Sequence, residues 1–141
     1  MHIIRGHLHP ANTECRIVPL RVERSTLARR RWRGTAEDGV EFGFDLQFPL
    51  AEGDLFFEEA GLRYVIAQAP EQLLEIRVPE AETAVRLGWQ LGNLHFPIEI
   101  QGTLVRVVDD SAVRQLLERE GWPIVPVCEV FRPLGGAHHH S

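Results

Sequence analysis

Between residues 85 and 101 the apolar spacing changes from helical to alternating, and that change limits how the second half of the chain can fold. Leu87, Gly88, Leu91 and Gly92 recur at near-helical spacing, and Gly92-Asn93 is a pair that readily takes the left-handed conformation closing a helix. After His95 the period is two: Phe96, Ile98 and Ile100 point one way, Pro97, Glu99 and Gln101 the other. His95 therefore stands at a helix-to-strand junction, where side chains tend to be exposed and function is often placed.

The flanking elements follow in order. Leu73–Val78 reads as a strand. Pro79, Glu80 and Glu82 suit the first turn of a helix that runs to Gly92. Phe96–Gln101 and Thr103–Val108 read as strands joined tightly at Gly102. Asp109 or Asp110 caps a second helix with Val113, Leu116 and Leu117 as its apolar stripe. Gly121 and Pro123 end it, and Ile124–Phe131 is a last strand in which Pro126 points to an edge or a bulge. This β-α-β-β-α-β order is the ferredoxin-like arrangement, with helices on one face of a four-stranded sheet and the other face free to pack or dimerise.

Residues 1–70 read as all-β. Ile3–Leu8, Arg16–Val22, Arg29–Thr35, Val40–Leu46, Leu55–Phe57 and Leu62–Ala69 are six short runs. Turn signals at Asp38-Gly39, Glu52-Gly53-Asp54 and Ala60-Gly61 separate the later ones. Such spacing suggests a small barrel or sandwich. The expected fold class is thus α+β: an all-β domain over 1–70, a ferredoxin-like domain over 71–134, and a short flexible histidine tail over 135–141 that has nothing to bury.

Of the 141 residues, 44% are apolar and the net charge is -5, which argues against general binding to nucleic acid or anionic membranes. No run approaches the roughly eighteen apolar residues of a membrane helix, and the N-terminus has no apolar stretch of signal-peptide length. Two cysteines, Cys15 and Cys128, make no disulfide framework, so a reducing cytoplasm is the expected compartment. Cys128, on an apolar strand, is expected to be buried.

Seven histidines fall in three places. His138, His139 and His140 lie on the tail, where neutral imidazoles suit weak, reversible capture of nickel, copper or zinc. Three histidines followed by serine make a poor affinity tag, although a tag residue is the plain alternative. His95 alone would more commonly be a loop or capping residue, and one imidazole holds a divalent ion poorly. A two-fold dimer changes this, because an isologous contact sets any residue on its axis beside its own copy. Two His95 rings would supply two ligands, with tail histidines or water completing an open shell. His7 and His9, with His2 nearby, share a face of a strand and make a solvated surface or a weak metal site.

No nucleophile elbow, phosphate loop, Cys-x-x-Cys or His-Glu-x-x-His occurs, so catalysis is not expected. Two rival readings stay open. One is a protein-binding module with incidental histidines. The other is a small RNA-binding protein using Arg29-Arg30-Arg31-Trp32-Arg33, a basic cluster with an aromatic inside it.

The run Leu91-Gly92-Asn93-Leu94-His95-Phe96-Pro97-Ile98-Glu99-Ile100 resembles the signature of the urease accessory proteins called UreE. Asp38-Gly39 with Phe42, Phe44 and Leu46, then Glu52-Gly53-Asp54-Leu55, and Phe131–Ala137 ahead of the tail are similar to further segments of that family. The resemblance implies a nickel metallochaperone for urease maturation, with a partner-binding β domain and a ferredoxin-like domain that dimerises around the motif histidine. It implies apo-urease and other urease accessory proteins, such as the GTPase, as partners. His95 matches the motif histidine, and His138, His139 and His140 match the family's auxiliary ligands in kind. Where some relatives carry further histidines this chain has Val107-Val108-Asp109-Asp110-Ser111, and with the short tail this implies a carrier rather than a store.

Overall fold

A computed structural model describes residues 1–9 and 15–135. The chain divides between Ala69 and Pro70 into two units. The first holds β1 (His2–Ile4), β2 (Arg16–Val22), a helical turn α1 (Arg24–Leu27), β3 (Arg31–Thr35), β4 (Glu41–Asp45), β5 (Leu55–Glu59) and β6 (Leu62–Gln68). Two three-stranded sheets form, in the orders β1-β4-β3 and β2-β6-β5. Alternation puts Phe42, Phe44 and Trp32 of one sheet and Leu20 and Ile66 of the other into a single apolar cluster. Trp32 lies flat on Phe44, ring centroids 3.8 Å apart.

Two features of this unit differ from the sequence expectation. The first strand stops at Ile4 rather than Leu8. The unit is not all-β, because the helical turn α1 stands between β2 and β3 with Leu27 as its buried residue. β1 pairs parallel to β4, as β2 does to β6. The Asp38-Gly39 turn is present, with Gly39 at a φ of 92° that favours glycine. Tyr64 of β6 donates its hydroxyl hydrogen to Asp38 Oδ2 at 2.6 Å and so pins that turn.

The second unit holds β7 (Glu71–Arg77), α2 (Ala81–Asn93), β8 (Glu99–Gln101), β9 (Leu104–Val108), α3 (Ser111–Arg119) and β10 (Val125–Glu129). Its strands are antiparallel in the order β10-β7-β9-β8. Leu74, Ile76, Val105 and Val107 on one sheet face pack with Leu87 and Leu91 of α2 and Val113 and Leu117 of α3. Asp110 caps α3, its Oδ1 accepting from the Ala112 amide at 2.8 Å. Trp122, just past α3, donates from Nε1 to Gln90 Oε1 on α2 at 2.8 Å. Pro126 sits in β10, an edge strand, where a missing amide is tolerated. Cys128, expected to be buried, is exposed on this edge strand. Among the described residues no helix is long and apolar enough to cross a membrane.

The face of this sheet away from the helices is not left open, contrary to expectation. Glu75, Arg106 and Glu99 are direct neighbours across β7, β9 and β8, so they share that face with Leu73. Leu73 is nevertheless fully buried, and so is Phe131 just beyond β10. The Arg132 amide donates to Glu99 Oε1 at 3.1 Å, and the Leu134 amide to the Ile98 carbonyl at 2.8 Å. Residues 131–134 thus form a strap from the β10 edge to the β8 edge. The crossing spans three strand spacings, about 14 Å, which the five residues after Glu129 cover at about 3.3 Å each.

Candidate metal centre

His95 lies at the closing turn of α2. The His95 amide donates to the Gly92 carbonyl at 3.0 Å and the Phe96 amide to the Leu91 carbonyl at 3.2 Å. This pair of bonds is the Schellman closure, whose first residue past the cap must be left-handed. The sequence placed that conformation at Gly92-Asn93. The structure puts it on His95, whose φ is 61°. Glycine usually fills the place, and a side chain there costs of order 1–2 kcal/mol, although histidine is enriched among exceptions. Because this turn extends to Phe96, the strand expected from Phe96 begins only at Glu99. Phe96 folds back onto the core that contains Leu91, the hydrophobic contact that accompanies such a closure.

The imidazole projects from this strained position into solvent, with no hydrogen bond or ion pair to any described residue. The neighbouring surface is apolar. Val85 and Trp89, one turn apart on the face of α2 opposite its buried Leu87 and Leu91, are 72% and 66% exposed, and Leu94 is exposed too. Gly92 continues that face, and a Cβ built on it would meet nothing within 4 Å.

Glu99, which alternation placed on the polar side of its strand, is 3% exposed beneath the strap. Besides the Arg132 amide it accepts from Gln101 Nε2 at 2.9 Å, and Arg106 Nη1 stands 3.8 Å away. Arg106 is also bonded to Glu75 at 2.9 Å, and that contact above all drives its pKa further up, against the opposing effect of burial. Sequence reasoning missed this role for Glu99. Its signal was a carboxylate within an otherwise apolar run, which without the strap reads as an ordinary outward residue.

His95 is the one histidine among the described residues of the second unit. His138, His139 and His140 lie outside the described residues. His7 and His9 do share a face, their rings 5.6 Å apart and edge to face, but in the first unit. His2 packs on Phe57 at 4.4 Å with Glu59 3.9 Å away, a residue of an aromatic cluster. Among the described residues no three His, Cys, Asp or Glu side chains converge on one point. In the arginine cluster Trp32 is buried against Phe44, so it offers no face for a base to stack on.

Comparison with known proteins bears on the same segment. The profile of the UreE urease accessory protein, C-terminal domain, matches residues 71–141. Urease accessory protein UreE of Nitrosococcus oceani is 35% identical over 119 residues, 80% of this chain and 71% of that protein. The protein of the same name from Beijerinckia indica is 34% identical over 115 residues, covering 80% and 66%. That from Rhizobium rhizogenes is 35% identical over 105 residues, covering 73% and 63%. The chain thus spans between about half and three quarters of the length of the relatives it matches. With the family profile covering half the chain and the relatives covering most of it, this chain belongs to the UreE family of urease accessory proteins, whose members assist assembly of an enzyme and are not themselves enzymes.

Proposed function

We propose that this chain is a homodimeric nickel carrier, acting in the cytoplasm to deliver Ni2+ during assembly of the urease metallocentre. The single observation that carries the reading is His95: an exposed imidazole, without a partner among the described residues, held at a backbone position that would be more stable with glycine. Strain of this kind is retained where a side chain has work to do. Imidazole suits nickel, and also zinc or copper in vitro.

A lone ring binds too weakly to select an ion. The exposed Val85–Trp89 face of α2, which leads to His95, is surface that a second copy can cover, bringing two His95 rings together about a two-fold axis. Tail histidines His138, His139 and His140, or water, complete the shell. In this reading residues 71–134 are a ferredoxin-like metal-binding and dimerisation domain, and residues 1–70 are the surface for protein partners. Those partners are apo-urease and other urease accessory proteins, such as the GTPase.

Nickel titration with mass measurement tests the proposal on the wild type, on a chain ending at Gly135, and on His95→Gly. Loss of the tightest site in His95→Gly, with the dimer intact, supports it. Unchanged nickel binding in that variant favours instead a protein-binding module with incidental histidines.

A further inference from the structure

The sheet β1-β4-β3 has a second face, turned away from the aromatic core of its unit. Ile4, Phe42, Phe44 and Trp32 belong to that core, so the alternate residues Ile3, Gly43, Asp45, Arg31 and Arg33 point outward. Register sets them in rows: Ile3, Gly43 and Arg33 lie side by side, and Asp45 lies next to Arg31. Gly43 is thus at the centre of the face. It has no left-handed φ to explain it, and glycine inside a strand weakens the strand and marks a close approach to its backbone. Here the approach is by the chain's own Ile3 and Met1. A Cβ on Gly43 would stand 3.1 Å from Ile3 Cδ1 and 3.3 Å from Met1 Cε. Strand stability is given up so that two apolar side chains lie across β4, yet both remain more than half exposed. They floor an open hollow of about 480 Å3.

The walls of the hollow are cationic. Arg5, Arg31 and Arg33 line it together with a single carboxylate, Asp45. Arg5 Nη1 donates to Asp45 Oδ2 at 3.2 Å and Arg31 Nε to Oδ1 at 3.3 Å, so two guanidiniums share one acid. Arg33 makes no hydrogen bond or ion pair with a described residue. Glu41, the other outward acid of β4, stands opposite Thr35 and does not line the hollow. Positive charge is therefore in excess here, on a chain whose net charge is -5. Complementarity requires an occupant that is both anionic and apolar. Carboxylates match guanidiniums in forked pairs, and an apolar side chain covers Ile3 and Met1. Nucleic acid fits less well, because Trp32 is stacked on Phe44 in the core and leaves no ring for a base.

We propose that this face docks an acidic segment of a partner protein, with an apolar side chain in the hollow on Ile3 and Met1 and flanking carboxylates on Arg33 and on the Arg5–Arg31 pair. The proposal deepens the reading of residues 1–70 as the surface for protein partners, and rests on it. No metal takes part.

Backbone amide NMR of the full, metal-free chain reads the docking. The probe is the peptide acetyl-Asp-Glu-Leu-Glu-Asp-amide, with one control in which the acids become their amides and another in which leucine becomes serine. The amides of Ile3, Arg33 and Gly43 should shift on titration, and raising salt from about 0.05 M to about 0.5 M should weaken binding. Each control peptide should bind at least about threefold more weakly. Arg33→Glu reverses an exposed charge and Ile3→Ser removes the exposed floor; each should weaken the acidic peptide at least about threefold. Arg33→Lys keeps the charge and should retain most of the affinity. The proposal is overturned if Arg33→Glu binds the acidic peptide as tightly as wild type, or if the amide control binds equally well. Shifts confined to other parts of residues 1–70 overturn this site and leave the partner-surface reading in place, whereas no shift anywhere in residues 1–70 overturns both. Shifts at Gly43 that grow with protein concentration alone make a second copy the occupant, and tighter binding of an oligouridine there makes it a nucleic acid; either result overturns the proposal. Nickel titration at His95 decides the carrier reading independently of all these outcomes.

Discussion

Replacing His95 by glycine separates what the imidazole does from what the backbone position prefers. His95 has a φ of 61° and closes α2 through two amide bonds that glycine would make equally well. Relief of the left-handed penalty is worth about 1–2 kcal/mol, and the extra freedom of glycine in the unfolded chain takes back about 0.5–1 kcal/mol. The apo His95→Gly protein should therefore be more stable than wild type by about 0.5–1 kcal/mol, a rise of about 2–8 °C in the midpoint of the second unit. His95→Ala keeps the strain and should stay within about 0.5 kcal/mol of wild type. Both variants should lose the tight nickel site. Denaturant melts of the metal-free proteins and calorimetric nickel titrations supply the two readings. The reasoning fails if glycine is no more stable than alanine, since the position then carries no strain, or if glycine is stabilised and still binds nickel tightly.

Further outcomes follow from other parts of the structure. Trp89→Glu charges the exposed face of α2; folding should change by no more than about 0.5 kcal/mol, while light scattering should show a shift toward monomer, and an unchanged dimer would place the contact elsewhere. Phe131→Ala empties the seat of the strap and should destabilise the second unit by about 3–5 kcal/mol in a urea melt. Imidazoles ligate only when unprotonated, so nickel affinity should fall as pH drops from about 8 to about 5; a flat calorimetric profile would count against histidine ligands. The Tyr64–Asp38 bond holds the Asp38 carboxyl below its usual range and pushes Tyr64 up to about 12. Asp38 thus contributes stability that is present above about pH 4 and lost as pH falls through its lowered value. Tyr64 contributes stability present below about pH 10 and lost as pH rises toward 12. Tyr64→Phe should flatten both limbs of a stability-against-pH curve.

Local chemistry made much of the second unit legible. Asp110 reads as a cap and is one, Gly102 joins two strands, and the stripe of Val113, Leu116 and Leu117 is buried. The strong alternation of Phe42 and Phe44 likewise gave a strand. What stayed hidden depends on residues distant in the chain. Parallel pairing of β1 with β4 cannot be read from either run, since period two is the same for both directions. Exposure of Cys128 follows from its place at an edge rather than from its apolar neighbours. Glu99 looks solvent-facing until residues thirty positions later cross over it. At the end of α2 the sequence located the helix-to-strand junction at His95 but chose Gly92-Asn93 for the left-handed turn. Glycine is the statistical choice there, and only the actual amide bonds show that the closure lies one residue beyond Leu94.

The central claim is that a single His95 ring per protomer becomes a binding site when its twin faces it. Calorimetric nickel titration of the chain ending at Gly135, which lacks the tail histidines, tests this most directly. The account predicts saturation at one ion for every two chains, lost when His95→Gly is added. Saturation at one ion per chain, or a titration unaffected by His95→Gly, would contradict it.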